Sequence, residues 1–189
     1  MLNLAKVKLP DTVSVLGSDY KIKTEFHWWI RFSQLLKNKE IKKYTDCDFL
    51  YADKKPENRV LGFSELTKFL RPERTLPRAT GKQSDRIIVD FDEDANLIYC
   101  AFLEQYGIDL LDEKTHLHWW KFNALFDGLH GTKLNEIMGY RSFDENDKTS
   151  ERQTLIELRE AWSIDVPLSD AEQEALDAFN AQFELGEIL

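Results

Sequence analysis

"THLHWWKF" (115–122) and "TEFHWWIRF" (24–32) share the tripeptide His-Trp-Trp, and how these two stretches are read decides the fold. The two tripeptides hold four of the five tryptophans and two of the four histidines. Repetition of such rare residues suggests either a duplicated site or two core helices that each need large aromatic anchors. Projection at about 100° per residue separates the two readings. Taken as a helix capped by Thr24 and running to Lys37, the first copy gathers Phe26, Trp28, Trp29, Ile30 and Phe32 on a broad apolar arc. His27, Arg31 and Gln34 fall outside that arc. Taken as a helix from Thr115 to near Gly128, the second copy is apolar on nearly every side, with one polar strip of His116, Asn123 and Asp127. His118 then shares a sector with Leu125 and Leu129, which predicts a buried histidine holding a hydrogen-bond partner. Unequal histidine placement argues against a paired site. A helix so widely apolar is either central to the core or shared with a partner.

Outward from these helices, the remaining pattern is mainly α, a helical domain with a small N-terminal β-hairpin. Val13, Val15, Tyr20 and Ile22 alternate around "LGSD", so 12–24 reads as the hairpin. The stretch 46–60 reads as loop, with Pro56 as a breaker, and Phe63 to Leu70 as a short helix ended by Pro72. Asp92 or Asp94 opens a helix to Tyr106, with Gly107 where a helix C-terminus wants glycine. Thr132 caps a helix through Tyr140. Ser150 and Gln153 form a capping box for a helix to Trp162, and Ser169 with Glu172 another for a last helix to about Glu184. The charged, proline-containing segment 71–86 reads as an exposed, mobile loop. Two parts follow: a helical core domain with its hairpin, 1–141, and an acidic helical segment, 142–189.

A chain of 189 residues with 42% hydrophobic content can bury a core without a disulfide or metal. Eight glycines are few for a barrel or sandwich rich in tight turns. No stretch approaches the ~20 apolar residues of a membrane span, and Cys47 and Cys100 form no framework. The expectation is a soluble protein of a reducing cytosol. A net charge of −9 disfavours generic binding to a nucleic-acid backbone. Its distribution says more: from Glu160 onward there is no lysine or arginine among eight acidic residues, whereas "RFSQLLKNKEIKKY" (31–44) is basic. An acidic tail and a basic patch can meet within one molecule or between neighbours, or remain two solvated faces.

No motif supplies a reaction. "DFDEDANLIYCA" (90–101) has aspartates at alternate positions, but Ala95 and Ala101 stand where a calcium loop needs glycine and a bidentate glutamate. The carboxylates fit better as caps on the positive end of the following helix. His116 and His118 lie about 200° apart on a helix, a spacing that does not gather ligands on one face. Cys100, inside an apolar helix, reads as an inert buried thiol. No nucleophile elbow, phosphate loop or H-E-x-x-H occurs. Arg71, Arg74, Arg78, Lys82 and Arg86 make 71–86 the best electrostatic match to an anionic partner, yet no aromatic residues interleave them. Catalytic, metal and cofactor sites are therefore not expected, nor are nucleic-acid or membrane partners. The last helix has a narrow stripe of Leu168, Ala175, Leu176, Phe179 and Phe183 opposite Asp170, Glu174, Asp177 and Glu184, which suits docking on a groove of its own domain or of a neighbour.

"DFDEDANLIYCAFLEQYGIDL" (90–110) and "LHWWKFNALFDGLHGTKLNEIMGYR" (117–141) resemble the hallmark segments of the bacteriophage gene-product-fifteen family, and "LPDTVSVLGSDYKIKTEFHWWIRF" (9–32) resembles its opening hairpin and first helix. That resemblance covers most of 9–141; 142–189 carries no matching hallmark. It implies a protein of phage and prophage tail modules, encoded near the major tail and tape-measure proteins and acting in the host bacterial cytoplasm. The expectation there is a tail assembly chaperone that shields the tape-measure protein and associates with itself. The alternative is a structural tail component retained in the virion. The family brings no catalytic or ligand-binding residues to carry over. The residues expected to contact partners are Trp28, Trp29, Trp119 and Trp120, with Leu176, Phe179 and Phe183 of the acidic last helix.

Overall fold

Val13 and Val15 turn inward while Thr12 and Ser14 face out, the period-2 pattern of a half-buried strand. A computed structural model of the chain describes residues 8–71, 86–146 and 148–164. In it β1 (Thr12–Val15) pairs antiparallel with β2 (Ser18–Lys21), Val13 opposite Tyr20 and Val15 opposite Ser18. Leu16 and Gly17 form the two-residue turn, both with positive φ (53° and 79°), as a type I′ hairpin requires. Leu16 adopts this left-handed conformation with its side chain 79% exposed. Past β2, Ile22 bridges Tyr51, and the Lys23 N–H donates to the Leu50 carbonyl at 2.8 Å.

Six α-helices and one 3-10 helix follow among the described residues: α1 (Phe26–Lys37), the 3-10 helix Tyr44–Leu50, α2 (Arg59–Leu70), α3 (Ala95–Tyr106), α4 (Trp119–Asp127), α5 (Lys133–Ser142) and α6 (Arg152–Ala161). The fold is thus mainly helical with a small hairpin in front. The 3-10 helix stands where a loop was expected, because Cys47 and Leu50 bury almost completely and draw the segment into the core. Helix α2 begins at Arg59 rather than Phe63. Asn58 caps it, accepting the Leu61 N–H at 3.0 Å, and Pro56 lies outside the helix, where it breaks nothing. Gly62 lets the two layers close: a Cβ there would come within 2.7 Å of both Pro56 Cγ and Tyr51 Oη. At the end of α3, Gly107 (φ 64°) sits in the left-handed region and the Ile108 N–H closes back on the Phe102 carbonyl.

The two His-Trp-Trp helices start side by side. The Phe26 N–H donates to the Leu117 carbonyl at 2.9 Å, and the Trp119 N–H donates to the Thr24 carbonyl at 2.7 Å, around an antiparallel bridge between Glu25 and His118. Each helix thereby satisfies the first orphan N–H of the other. Neither expected start survives. Glu25, not Thr24, is the N-cap of α1, with no side-chain cap bond, and α4 begins at Trp119 with His118 as its N-cap. His118 accepts the Trp120 N–H on Nδ1 at 3.0 Å, so the proton sits on Nε2, which donates to the Pro10 carbonyl at 3.1 Å. The bridge also sets the register. Glu25 and His118 are the two N-caps, so by helix position Phe26 corresponds to Trp119 and Trp29 to Phe122, two positions away from the repeat read in the letters. These four residues are buried aromatic anchors at the first and fourth positions of both helices.

The chain divides into two compact units, Met1–Gln83 with Val89–Ile137, and Ser84–Ile88 with Met138–Leu189; one boundary falls inside α5. The described core, from Val13 to Ile137, lies in the first unit. In the second, Arg141 Nε and Nη1 donate to the carbonyls of Trp162 and Ile88, and Arg159 pairs with Glu145 at 2.5 Å. The capping box expected of Ser150 and Gln153 does not form: Glu151 is the N-cap of α6, and the Gln153 side chain donates to Glu157.

Two predictions follow from the hairpin tip and the cap. Leu16→Asn should raise unfolding free energy by about 1 kcal/mol, because asparagine tolerates left-handed backbone better than leucine; urea titration measures this. Burial holds the His118 pKa below its ordinary 6.5, so the unfolded chain binds the extra proton more readily. The stability contributed is complete above pH 6.5 and is lost as pH falls through the lowered folded value. His118→Ala should cost about 1 kcal/mol at pH 7.5. His118→Asn should keep the cap and flatten this acid limb in melting curves.

Candidate functional site

Helix α1 turns Phe26, Trp29 and Phe32 into the core, and beside that face Trp28, Arg31 and Leu35 follow one another at intervals of three and four along a single stripe. Trp28 is half-buried. Lys23 Nζ lies 4.0 Å above its ring centroid, and the rings of His27 and Phe49 stand 5.0 and 6.1 Å away. The Arg31 guanidinium lies 5.0 Å from the Phe49 centroid. The result is a ledge of two aromatic rings and two cations, one cation over each ring, a chemistry suited to an apolar segment carrying carboxylates.

The other three tryptophans of the repeat hold the fold. Trp29 is fully buried, and its indole N–H donates to the Lys23 carbonyl at 2.8 Å. Trp119 is 3% exposed, and its indole donates to the Leu70 carbonyl at 2.9 Å, while half-buried Trp120 donates to the neighbouring Phe69 carbonyl at 3.0 Å. Together Trp119 and Trp120 satisfy two of the orphan carbonyls at the end of α2. Among the described residues, only the Trp28 indole N–H of the four makes no hydrogen bond. Trp29 and Trp119 therefore have almost no surface to offer a partner, and Trp120 presents only part of a ring already stacked on Phe69 at 5.1 Å. Of the four, Trp28 and part of Trp120 keep exposed surface. Leu176, Phe179 and Phe183 lie outside the described residues, as does the loop between Arg71 and Arg86.

The acidic loop before α3 builds structure. Asp90 Oδ1 accepts the N–H groups of Asp92 and Glu93, and Asp94 Oδ2 accepts that of Asp90. Lys37 Nζ pairs with Asp90 at 2.6 Å, and Gln34 donates to Asp92, tying the loop to α1. Burial pushes the Asp90 carboxyl up, but Lys37 and the two backbone donors outweigh it and hold the pKa below its ordinary value. Asp94 is the N-cap residue of α3, although its side chain turns back to Asp90 instead of onto the helix. Among the described residues, no group of three or more histidine, cysteine or acidic side chains is placed to hold a metal ion. The expectation of a buried thiol at Cys100 is not met. Cys100 is exposed on the outer side of α3, whereas Cys47 is buried and its pKa is pushed up to about 12 by burial. No described helix is long and apolar enough to cross a membrane.

Lys23 and Phe49 were absent from the sequence-level site. Lys23 precedes Trp28 by only five residues, but nothing in the letters announces that Phe49 arrives beside it. The tertiary fold alone brings the 3-10 helix there.

No curated protein matches this chain, and no solved structure does. The sequence model of the family described as "Bacteriophage Gp15 protein" matches residues 6–164, running past Arg141 to the end of α6. That match spans most of the chain and includes both helix starts, the acidic loop and the Trp28 ledge, so this chain belongs to the Bacteriophage Gp15 protein family.

Proposed function

We propose that this phage protein is a non-catalytic tail assembly chaperone that binds and shields the tape-measure protein in the host cytoplasm and associates with copies of itself. The observation that carries this reading is the Trp28 ledge. One tryptophan of the repeat keeps surface and an uncommitted indole N–H, flanked by Lys23, His27, Arg31 and Phe49, while its three counterparts are held by backbone carbonyls. Half-exposed tryptophans with neighbouring arginine are typical anchors of protein interfaces. An amphipathic helix with carboxylates beside its apolar face complements such a ledge. Family membership supports the phage context, and the tail-module setting that the family resemblance implies makes a long helical partner available.

Co-expression with the tape-measure protein tests the reading. The two chains should co-purify, and the tape measure should precipitate when expressed alone. Equal solubility with and without this chain, and no co-purification, would end the chaperone reading. Mass spectrometry of purified virions should not find this chain; its presence at stoichiometric levels supports a structural tail component instead. Trp28→Ala should weaken binding at least tenfold, ~1.4 kcal/mol or more, with a nearly unchanged melting temperature. Trp119→Phe is the control: it strips a donor from the buried Leu70 carbonyl and should cost roughly 1–3 kcal/mol of stability while leaving affinity intact in the folded fraction.

A further inference from the structure

At the far end of α1 the chain forms a second feature, unrelated to the ledge in composition. Leu35 and Leu36 of the last helical turn, Ile41 of the exit loop, Tyr44 and Phe63 floor a groove of about 320 Å³. Tyr44 and Phe63 stand 5.4 Å apart, and Tyr44 is 46% exposed. Lys39, Lys42 and Lys43 line the same groove. The local acids are engaged elsewhere: Asp46 accepts the backbone N–H groups of Lys42 and Lys43 at 2.9 and 2.8 Å, and Glu40 accepts from the Asn38 side chain. Among the described residues, no carboxylate pairs with the ammonium groups of Lys42 and Lys43. The carbonyls of Gln34, Leu35 and Leu36 are closed by the N–H groups of residues 38–40, so the helix end does not present them to the groove.

An apolar floor under a lysine rim calls for an amphipathic segment with acids beside its apolar stripe. This chain carries one. Residues 165–189 hold seven acidic residues and no lysine or arginine. At helical spacing Phe179 and Phe183 fall one turn apart, ~6 Å, with Asp177 and Glu184 on the opposite side. We infer that the groove at the end of α1 receives the 168–184 segment of a second copy of this chain. Phe179 and Phe183 fill the floor, and Glu172, which helical spacing puts in line with them two turns earlier, is the carboxylate that reaches the lysine rim. The contact is heterologous, groove to tail, so two copies close a dimer only by exchanging segments; otherwise each copy leaves one groove and one tail open for the next. This inference rests on the self-association part of the proposed function and not on the tape-measure part.

The test uses the full chain and three variants in sedimentation velocity over a concentration series at low and high salt. Wild type should associate, and 0.5 M salt should weaken the association, since the rim is ionic and exposed. Lys42→Glu with Lys43→Glu, and separately Phe179→Ala with Phe183→Ala, should each raise the dissociation constant at least tenfold. Circular dichroism should show both folded; Lys42 and Lys43 are exposed, and Phe179 and Phe183 lie outside the described residues. Mixing the two variants should restore a mixed complex, because one supplies an intact tail and the other an intact groove. Trp28→Ala, at the other end of α1, should associate as wild type does. Wild-type association unaffected by either pair overturns the groove contact alone. A wild type that is monomeric at every concentration overturns the contact and the self-association reading together, leaving tape-measure binding to its own test. Failure of the mixed variants to associate overturns exchange between copies.

Discussion

The reciprocal pair of hydrogen bonds between the starts of α1 and α4 is the constraint on which the rest of the first unit depends. Phe26 N–H to Leu117 and Trp119 N–H to Thr24 join segments that lie far apart in the chain. They remove two helix-terminal donors from the list of groups that need water or a side-chain cap. They also bring two first turns together at a fixed height. At that height Phe122 becomes the centre of the core. It is fully buried and stacked on Phe26 at 5.0 Å, on Phe102 at 5.0 Å and on Trp119 at 5.7 Å. A shift of one residue in either helix would rotate these rings by about 100° and dismantle the stack. Trp119 and Trp120 then extend the constraint to α2 through the carbonyls of Leu70 and Phe69.

That arrangement explains what the letters disclosed and what they hid. The hairpin, α1, and the span of α3 with its Gly107 terminus were legible, because alternation, periodicity and a left-handed glycine are local signals. The repeat itself misled in register. His-Trp-Trp aligns with His-Trp-Trp on paper, whereas counted from the two N-caps Phe26 and Trp29 hold the same helix positions as Trp119 and Phe122. The difference comes from placing a helix start at Thr115, by the ordinary preference for threonine caps, when His118 performs that role through Nδ1. Projecting a helix from the wrong start put His118 on its apolar face. It is indeed half-buried with hydrogen-bond partners, but as a cap. Asn58 was hidden in a similar way, because Pro56 drew the helix boundary to the wrong side of it.

The candidate aromatic residues were legible by type and not by depth. A projection gives the arc on which a tryptophan lies, and four large aromatic residues on broad arcs look alike. Which of them meets solvent depends on what packs there: the 3-10 helix brings Phe49 to Trp28, and the end of α2 covers Trp119. Neither neighbour has a sequence signal. Cys100 shows the same limit, since its helix is apolar in composition and yet turns that position outward. The basic run 31–44 was visible as charge, but the groove beneath it exists only once Phe63 of α2 arrives under Tyr44.

The Trp28 ledge and the groove at Leu35 lie on one stripe of one helix. Trp28 and Leu35 are seven residues apart, ~10 Å along the axis and nearly in line, with Arg31 between them. Because the bridge to α4 fixes the N-terminal end of α1, and Lys37 paired with Asp90 fixes the other, the stripe is a rigid ruler and not two independent patches. A helix that entered at the groove and ran toward the N-terminus of α1 would reach the ledge within two turns. Contacts at the two ends are therefore geometrically coupled. A copy whose groove holds the 168–184 segment keeps its ledge open where that segment runs away from Trp28, whereas a long helix laid along the whole stripe would displace it. The sharing of one helix face is what would allow self-association and the shielding of a long partner to exclude one another without any change in the fold.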